Sequence, residues 1–307
     1  MSNREITNIS ASIRARLLNK AREDKRPFNE LLQYFAMERF LYRLSISPYS
    51  QKFILKGALM FTAWELVKHR ATIDIDISAR TLNSVENLIE IVQDICEIQP
   101  DIDDGLIFDG RSVIGKMSQK NAEYSGVQLK FEGKLNKAKI SMKVDVGFGD
   151  IISPSPLLII YPTILPLPSP QIKGYPPETV IAEKFQTILL RGMENSRMKD
   201  FYDIWMLQKQ MQFLGNNLLE AISKTFSNRQ TKINNDSLNN LKLLGESQDK
   251  AKQWEQFVRK NRFDSETPNF KSIINAIFQF LMPIVIAIDE ETRPPGKWNP
   301  SKNWSKN

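Results

Sequence analysis

The sequence predicts an α+β chain: a mixed α/β region, built on a mixed sheet flanked by helices, followed by a C-terminal helical domain. Three observations carry this. Strand-like alternation is concentrated between about residues 50 and 150, helical spacing governs residues 8–45 and again everything from Pro177 onward, and eight of the sixteen prolines fall between positions 154 and 177.

In chain order, Ile9, Ile13 and Leu17 recur at helical spacing. Pro27 opens a second helix whose stripe of Leu31, Leu32, Phe35, Phe40, Leu41 and Leu44 stops before Pro48. Phe53-Ile54-Leu55 reads as a short strand, Gly57 as a turn, residues 58–67 as a helix and 72–78 as a strand. A helix over 84–97 follows, then alternating strands over 106–146, notably Val127-Gln128-Leu129-Lys130-Phe131 and Ile140-Ser141-Met142-Lys143-Val144-Asp145-Val146. The prolines after 153 argue against regular structure there. Beyond them, helices are expected over 178–192, 199–213, 216–226, 248–260 and 270–288. The expected organisation is N-terminal helices over 1–50 packing on the core, a sheet domain over 51–153, a proline-rich crossing loop over 154–176, a helical domain over 177–290 and an irregular tail over 291–307.

Composition narrows the function classes. Lys and Arg number 42 against 35 Asp and Glu, giving a net charge of +7 and a pI near 9.3, which favours an anionic partner. Basic residues cluster at Arg14, Arg16, Lys20, Arg22, Lys25 and Arg26, and again at Lys250, Lys252, Arg259, Lys260 and Arg262, where they could track a phosphate backbone. A single histidine, His69, argues against zinc sites and histidine-dependent nucleophilic catalysis. Cys96, the single cysteine, has no partner for an internal disulfide and sits in a helical, apolar setting. No apolar run reaches the roughly 20 residues of a membrane span, the longest being interrupted as at Pro283, and the N-terminus lacks the apolar core of a signal peptide. A cytoplasmic protein without a membrane partner is expected.

The chemistry centres on Ala71-Thr72-Ile73-Asp74-Ile75-Asp76-Ile77-Ser78. In a strand, period two sends Ile73, Ile75 and Ile77 to one face and Asp74 and Asp76 to the other, with the two carboxylates roughly 6.5 Å apart at their Cβ atoms. Paired carboxylates repel, a divalent cation resolves the repulsion, and hard oxygen ligands select Mg²⁺ or Mn²⁺. An exposed edge strand with solvated aspartates is the simpler reading of an isolated D-x-D. By the same alternation Met142, Val144 and Val146 face the core and Ser141, Lys143 and Asp145 the open side. Asp145 would then complete three carboxylates able to hold two ions about 3.5–4 Å apart, the arrangement used for in-line phosphoryl displacement.

Lys56-Gly57-Ala58 sits between a strand and a helix, where backbone N–H groups can meet phosphate and Gly57 keeps the approach open; an ordinary turn explains it equally. Pro177 fits the first turn of a helix whose stripe is Val180, Ile181, Phe185, Ile188 and Leu189. Lys184 projects within that stripe and must either snorkel or meet an anion, for which a triphosphate is a candidate. Asp200 neighbours Asp203, and Lys199 neighbours Asp203, on one helix; an N-cap and an exposed ion pair are the plain alternatives to positioning Lys184 or a nucleotide. Arg70, His69 and Arg80 read as surface charge, and Phe201, Tyr202 and Trp205 as packing residues.

These segments resemble a known family. Phe53-Ile54-Leu55-Lys56-Gly57-Ala58-Leu59-Met60-Phe61 with Asp74-x-Asp76 is similar to the first motif of the nucleotidyltransferase superfamily as found in AbiEii/AbiGii toxins. The likeness continues through Val144-Asp145-Val146-Gly147-Phe148-Gly149-Asp150, Tyr175-Pro176-Pro177-Glu178-Thr179-Val180-Ile181-Ala182-Glu183-Lys184-Phe185 and Asn195-Ser196-Arg197-Met198-Lys199-Asp200-Phe201-Tyr202-Asp203-Ile204-Trp205. The resemblance covers roughly residues 28–210. It implies a nucleotidyltransferase-type sheet over 51–153 with an active site completed by 177–290. It further implies Mg²⁺-dependent (or Mn²⁺-dependent) transfer of a nucleoside monophosphate from an NTP to RNA, with the tRNA 3′ end favoured, and membership of a toxin–antitoxin or phage-defence pair with a cognate antitoxin. On that reading Asp74, Asp76 and Asp145 hold two metal ions, Lys184 and Asp200 act with them, and Lys56, Gly57, Ala58, Lys184, Lys199 and Asp203 bind nucleotide or phosphate. Where the superfamily often has Gly-Ser, this chain has Gly57-Ala58, so a serine hydroxyl contact is missing. The alternatives are an inactive RNA-binding or antitoxin-interacting module, and a D-x-D glycosyltransferase, which would leave Asp145, Lys184 and Asp203 without roles.

Overall fold

The computed structural model describes residues 8–66, 70–121, 124–233, 235–263, 267–300 and 302–305, so that His69 lies outside the described residues. The chain divides into two units. The first comprises Met1–Glu65, Thr72–Asp150 and Leu157–Gly174, and the second Leu66–Ala71, Ile151–Pro156 and Tyr175–Asn307.

In the first unit α1 (Ile9–Glu23) and α2 (Phe28–Ile46) precede β1 (Phe53–Lys56), α3 (Leu59–Ala63), β2 (Ile75–Ala79) and α4 (Val85–Glu97). Asn8 and Ser84 start α1 and α4 by accepting the N–H groups of Ala11 and Asn87, as N-cap side chains do. Strands β3 (Leu106–Asn121), β4 (Tyr124–Leu135) and β5 (Ala138–Gly147) form a meander, and β6 (Leu157–Ile160) and β7 (Gln171–Gly174) complete a seven-stranded sheet of order β3-β4-β5-β2-β1-β7-β6. The sheet is mixed. β2 runs antiparallel to β1 but parallel to β5, and β1 is parallel to β7.

Alternation decides which face is covered. Ile75, Ile77, Val127, Leu129, Phe131, Val144 and Val146 are buried in one core with α1, α2 and α4. Each such side chain contributes about 1.5–3 kcal/mol on leaving water, so a one-residue slip of a strand, which would expose its whole apolar set, is strongly disfavoured. Ile73 departs from the expected pattern: β2 begins only at Ile75, and Ile73 is 68% exposed. The helix expected over 58–67 is shorter, at five residues.

The proline-rich stretch also differs from the expected irregular loop, because it contains β6 and β7. Its prolines flank these strands and none falls inside them, so no ladder N–H is lost. Buried charges on α2 hold the segment between the two strands: Glu38 accepts the N–H of Ile164 at 2.8 Å, and Arg39 donates to the Pro168 carbonyl at 2.7 Å. Burial pushes the Glu38 carboxyl up to about 7, against the opposing pull of Arg39 and the Ile164 N–H.

The second unit contains α5 (Pro177–Arg191), α6 (Met198–Gln210), β8 (Phe213–Leu214), α7 (Gly215–Asn228), α8 (Asn235–Glu246), α9 (Gln248–Lys260), α10 (Phe270–Asp289), β9 (Lys297–Asn299) and β10 (Asn303–Trp304). Pro177 occupies the first turn of α5, as its position predicts. Two corrections arise here. Helix α10 continues through Pro283 and, at 20 residues with a mean hydropathy of 1.8, is long and apolar enough to cross a membrane; its Ile273, Ile277, Phe280, Leu281 and Ile284 are instead buried within the unit. The tail expected to be irregular forms β9 and β10, which join β8 in a small sheet. Two indoles account for this: Trp298 donates Nε1–H to the Gln208 carbonyl at 2.7 Å, and Trp304 to the Phe280 carbonyl at 2.9 Å, so each ring packs with its polar group satisfied.

Candidate functional site

Strand pairing assembles the first group of predicted residues. Lys56 on β1 lies opposite Asp76 on β2, Asp76 opposite Asp145 on β5, and Asp145 opposite Gln128 on β4. Directly paired residues share a face. This row therefore lies on the face opposite the buried one, with Asp76 and Asp145 on adjacent strands whose backbones are roughly 5 Å apart.

The polar contacts show how these charges are tolerated. Lys143 on β5 donates to Asp74 Oδ2 at 2.8 Å and stands 3.4 Å from Asp145 Oδ2, while Gln128 Nε2 donates to Asp145 Oδ1 at 2.9 Å. Burial pulls the Lys143 ammonium down, but the hydrogen bond to Asp74 and the charge of Asp145 outweigh it, and its pKa is raised. Asp74 Oδ1 remains buried with no hydrogen-bond partner. Buried polar atoms are rarely left so, and an unmatched carboxylate oxygen calls for a cation.

Gly57 has φ +72°, and a Cβ there would overlap the Asp76 carboxylate. The space this glycine leaves is thus occupied by Asp76, where the sequence suggested access for phosphate. Ala58 precedes the five-residue α3 and makes no side-chain cap, so little helix dipole is available there. Lys56 Nζ lies 2.5 Å from Asp150 Oδ2 and directly over Gly147, whose missing side chain gives the lysine room.

The second group lies in the second unit. Lys184 Nζ is 3.0 Å from Asp200 Oδ1 and 2.7 Å from Asp203 Oδ2. Arg70 binds both oxygens of Asp203 through Nε and Nη2, each at 3.1 Å, and Arg197 Nε donates to Asp200 at 2.6 Å. Both aspartates are 1% exposed. Arg70 is therefore no surface charge. Asp200 is not the N-cap either, since α6 starts after Arg197, and Asp203 does not form an exposed pair with Lys199. Burial alone would raise both carboxyls, yet Lys184 and Arg197 hold Asp200 below the ordinary carboxylate range, and Arg70 and Lys184 hold Asp203 below it. The Lys184 ammonium, penalised by burial, is raised by Asp200 and Asp203. Lys199 is lowered, by burial first and then by Arg197, Arg70 and Lys184. Three cations, Lys184, Arg70 and Arg197, are thus ion-paired with two carboxylates, and Lys199 lies close enough to feel their charge.

The structure thus unites Asp74, Asp76, Asp145, Lys56 and Gly57 in one unit, and Lys184, Lys199, Asp200 and Asp203 in the other. Gln128, Lys143 and Arg70 were not among the site residues expected from the sequence. Alternation does place Gln128 and Lys143 on the open face, whereas Arg70, 133 residues from Asp203, carries no local signal.

Among the described residues, no group of three or more His, Cys, Asp or Glu side chains is drawn together around a metal position. The donor set nevertheless suits one. Asp74 offers an unmatched oxygen, and Asp76 and Asp145 offer further hard oxygens on the same face, the ligand type that Mg²⁺ and Mn²⁺ prefer.

The model of a family described as the nucleotidyl transferase AbiEii toxin of type IV toxin–antitoxin systems matches residues 39–276. Among solved structures, the chain is similar to JHP933 from Helicobacter pylori, with 15% identity and a TM-score of 0.47 over 85% of this chain and 92% of that one. It is similar also to a protein from H. pylori described as a candidate nucleotidyltransferase, with the same identity and TM-score over 86% of this chain and 97% of the other. No curated protein matches it.

Proposed function

Because the chain belongs to the AbiEii nucleotidyl transferase toxin family, we propose that it transfers a nucleoside monophosphate from an NTP to an RNA end, with a tRNA 3′ end as the favoured acceptor. The acceptor hydroxyl oxygen bonds to the α-phosphorus, the bond from that phosphorus to the β-bridging oxygen breaks, and pyrophosphate leaves. The unmatched Asp74 Oδ1 beside the Asp76–Asp145 row carries this reading.

Asp74, Asp76 and Asp145 would hold Mg²⁺ or Mn²⁺, whose charge acidifies an attacking hydroxyl and offsets the charge of departing pyrophosphate. Lys143 holds Asp74 and Asp145, and Gln128 orients Asp145, the residue assigned to accept the hydroxyl proton. Lys184 and Lys199 supply positive charge for the triphosphate, with Asp200 and Asp203 fixing Lys184. Lys56, in register with Asp76 and ion-paired with Asp150, would meet phosphate oxygens near the carboxylates, while Gly57 and Ala58 would contribute backbone only. The activity would serve a toxin role in phage defence, opposed by the cognate antitoxin that a type IV system implies.

A second reading rests on Lys143, whose ammonium supplies part of the charge a metal would bring; with Ala58 in place of serine, it fits an inactive module that binds RNA or an antitoxin. Purified protein incubated with Mg²⁺, each α-labelled NTP and total RNA separates the two. Label should enter RNA with wild type and not with Asp76→Ala. RNA left unlabelled with every NTP, but still bound, would establish the inactive module.

A further inference from the structure

We infer that the open face of β3, β4 and β5 is the platform on which the acceptor RNA strand lies, gripped by Lys116 and Lys130. This rests on the transferase reading above. The carboxylate row does not end at Gln128, because Gln128 is paired in turn with Lys116 on edge strand β3. The next row runs from Lys143 to Lys130 and then to Ile114, and beyond it Lys134 pairs with Ile107. Each pair shares a face, so all these side chains stand on the side that carries Asp76 and Asp145.

The surface they form is open and cationic. Lys116, Lys130 and Lys134 are exposed, and among them Ile114 and Ile107 are 65% and 69% exposed. Beyond the carboxylate row itself, this face carries the acids Glu132, which stands 3.6 Å from Lys139, and Asp109, which pairs with Glu132 at the far end. An antiparallel sheet with one covered face needs polar residues on the other, but it does not need lysines and bare isoleucines interleaved. Lysines beside exposed apolar side chains match a single nucleic-acid strand, whose phosphates need cations and whose bases and riboses gain from apolar contact. The position also fits. Lys116 lies two strands, roughly 10 Å, from Asp145, and Lys130 is the direct neighbour of Lys143, so a strand held there leads its end to the carboxylates.

The test uses the full chain and 5′-fluorescein-labelled total tRNA. The double variant Lys116→Glu/Lys130→Glu should bind this RNA on the order of 10-fold more weakly. The slope of log affinity against log salt should fall by about 1.4, as expected for two lost single-strand phosphate contacts. The KM for RNA should rise in step while the KM for NTP holds, and Lys116→Arg/Lys130→Arg should retain binding. Circular dichroism checks that both variants fold. If the glutamate variant binds and labels RNA like wild type, while Arg16→Glu/Arg22→Glu on α1 binds weakly, the platform is overturned and the transferase reading stands. If the glutamate variant loses binding of poly-glutamate but not of RNA, the face belongs to an acidic protein and the proposal fails. A wild type that neither binds nor labels RNA would remove both readings together.

Discussion

The carboxylate row on the sheet and the ion network around Asp203 are built from the same residue types and balanced differently. Around Asp203 opposite charges meet in a nearly dry setting, with Arg70 and Lys184 on one carboxylate. On the sheet, one lysine serves Asp74 and Asp145 together and an Asp74 oxygen is left unmatched. A buried, mutually satisfied network is costly to break, whereas an under-neutralised row is destabilised by its own repulsion and gains from a ligand. The difference teaches where stability and chemistry reside.

Asp203→Ala tests the first half and should have the largest effect, since it strands two cations: a loss of about 3–5 kcal/mol in urea denaturation. Adding Lys184→Met should recover a good share of this loss, because it removes one of the stranded charges. Asp76→Ala tests the other half, with transfer expected to fall on the order of 10²–10³-fold while stability changes by less than about 1 kcal/mol. Equal destabilisation by the two alanine variants would erase the distinction. Gly57→Ala sharpens it, because this position bears on both fold and site: its left-handed backbone and the overlap with Asp76 should cost about 1–3 kcal/mol and lower activity together. An unchanged midpoint in that variant would mean the carboxylate moves aside freely.

Acidity separates the groups more gently. Asp200 and Asp203 lie below the unfolded aspartate value of about 3.9, so their stabilisation is present above that pH and is lost as pH falls through their folded values. Glu38 works in the opposite direction. Its folded value of about 7 exceeds the unfolded value of about 4.3, so the folded chain keeps a proton through that window and stability declines as pH rises. Glu38→Gln should therefore lose less stability than wild type between pH 5 and pH 7.5. Parallel denaturation midpoints for the two proteins would show that Glu38 is already ionised at the lower pH.

Much of this was legible in the sequence wherever one face had to be buried. Period two located β1, β4 and β5 and put Asp76 and Asp145 on the open side, because Ile75, Ile77, Val144 and Val146 had only one place to go. Helical stripes located α2, α4, α5, α6, α7, α9 and α10 in the same way. Helix α8, with its Asn-rich start, was missed, and β6, β7, β9 and β10 were hidden because prolines and polar residues surround strands of two to four residues. The site was legible as residue types and illegible as partnerships. Nothing local says that Lys143 will reach Asp74, that Gln128 will hold Asp145, or that Arg70 will grip Asp203, since each contact depends on how distant segments meet.

The double pairing of β2, antiparallel to β1 and parallel to β5, has a consequence for the timing of synthesis. Asp74 and its lysine are 69 residues apart in the chain, and Asp76 meets Asp145 only when β5 is laid down beside β2. A nascent chain that has not reached Ala138 carries Asp74 and Asp76 but lacks the third carboxylate. Ile75 and Ile77 then still lack Val144 and Val146 beside them. The row that pairs Asp76 with Asp145 therefore comes into being only once the last strand of the meander has been made.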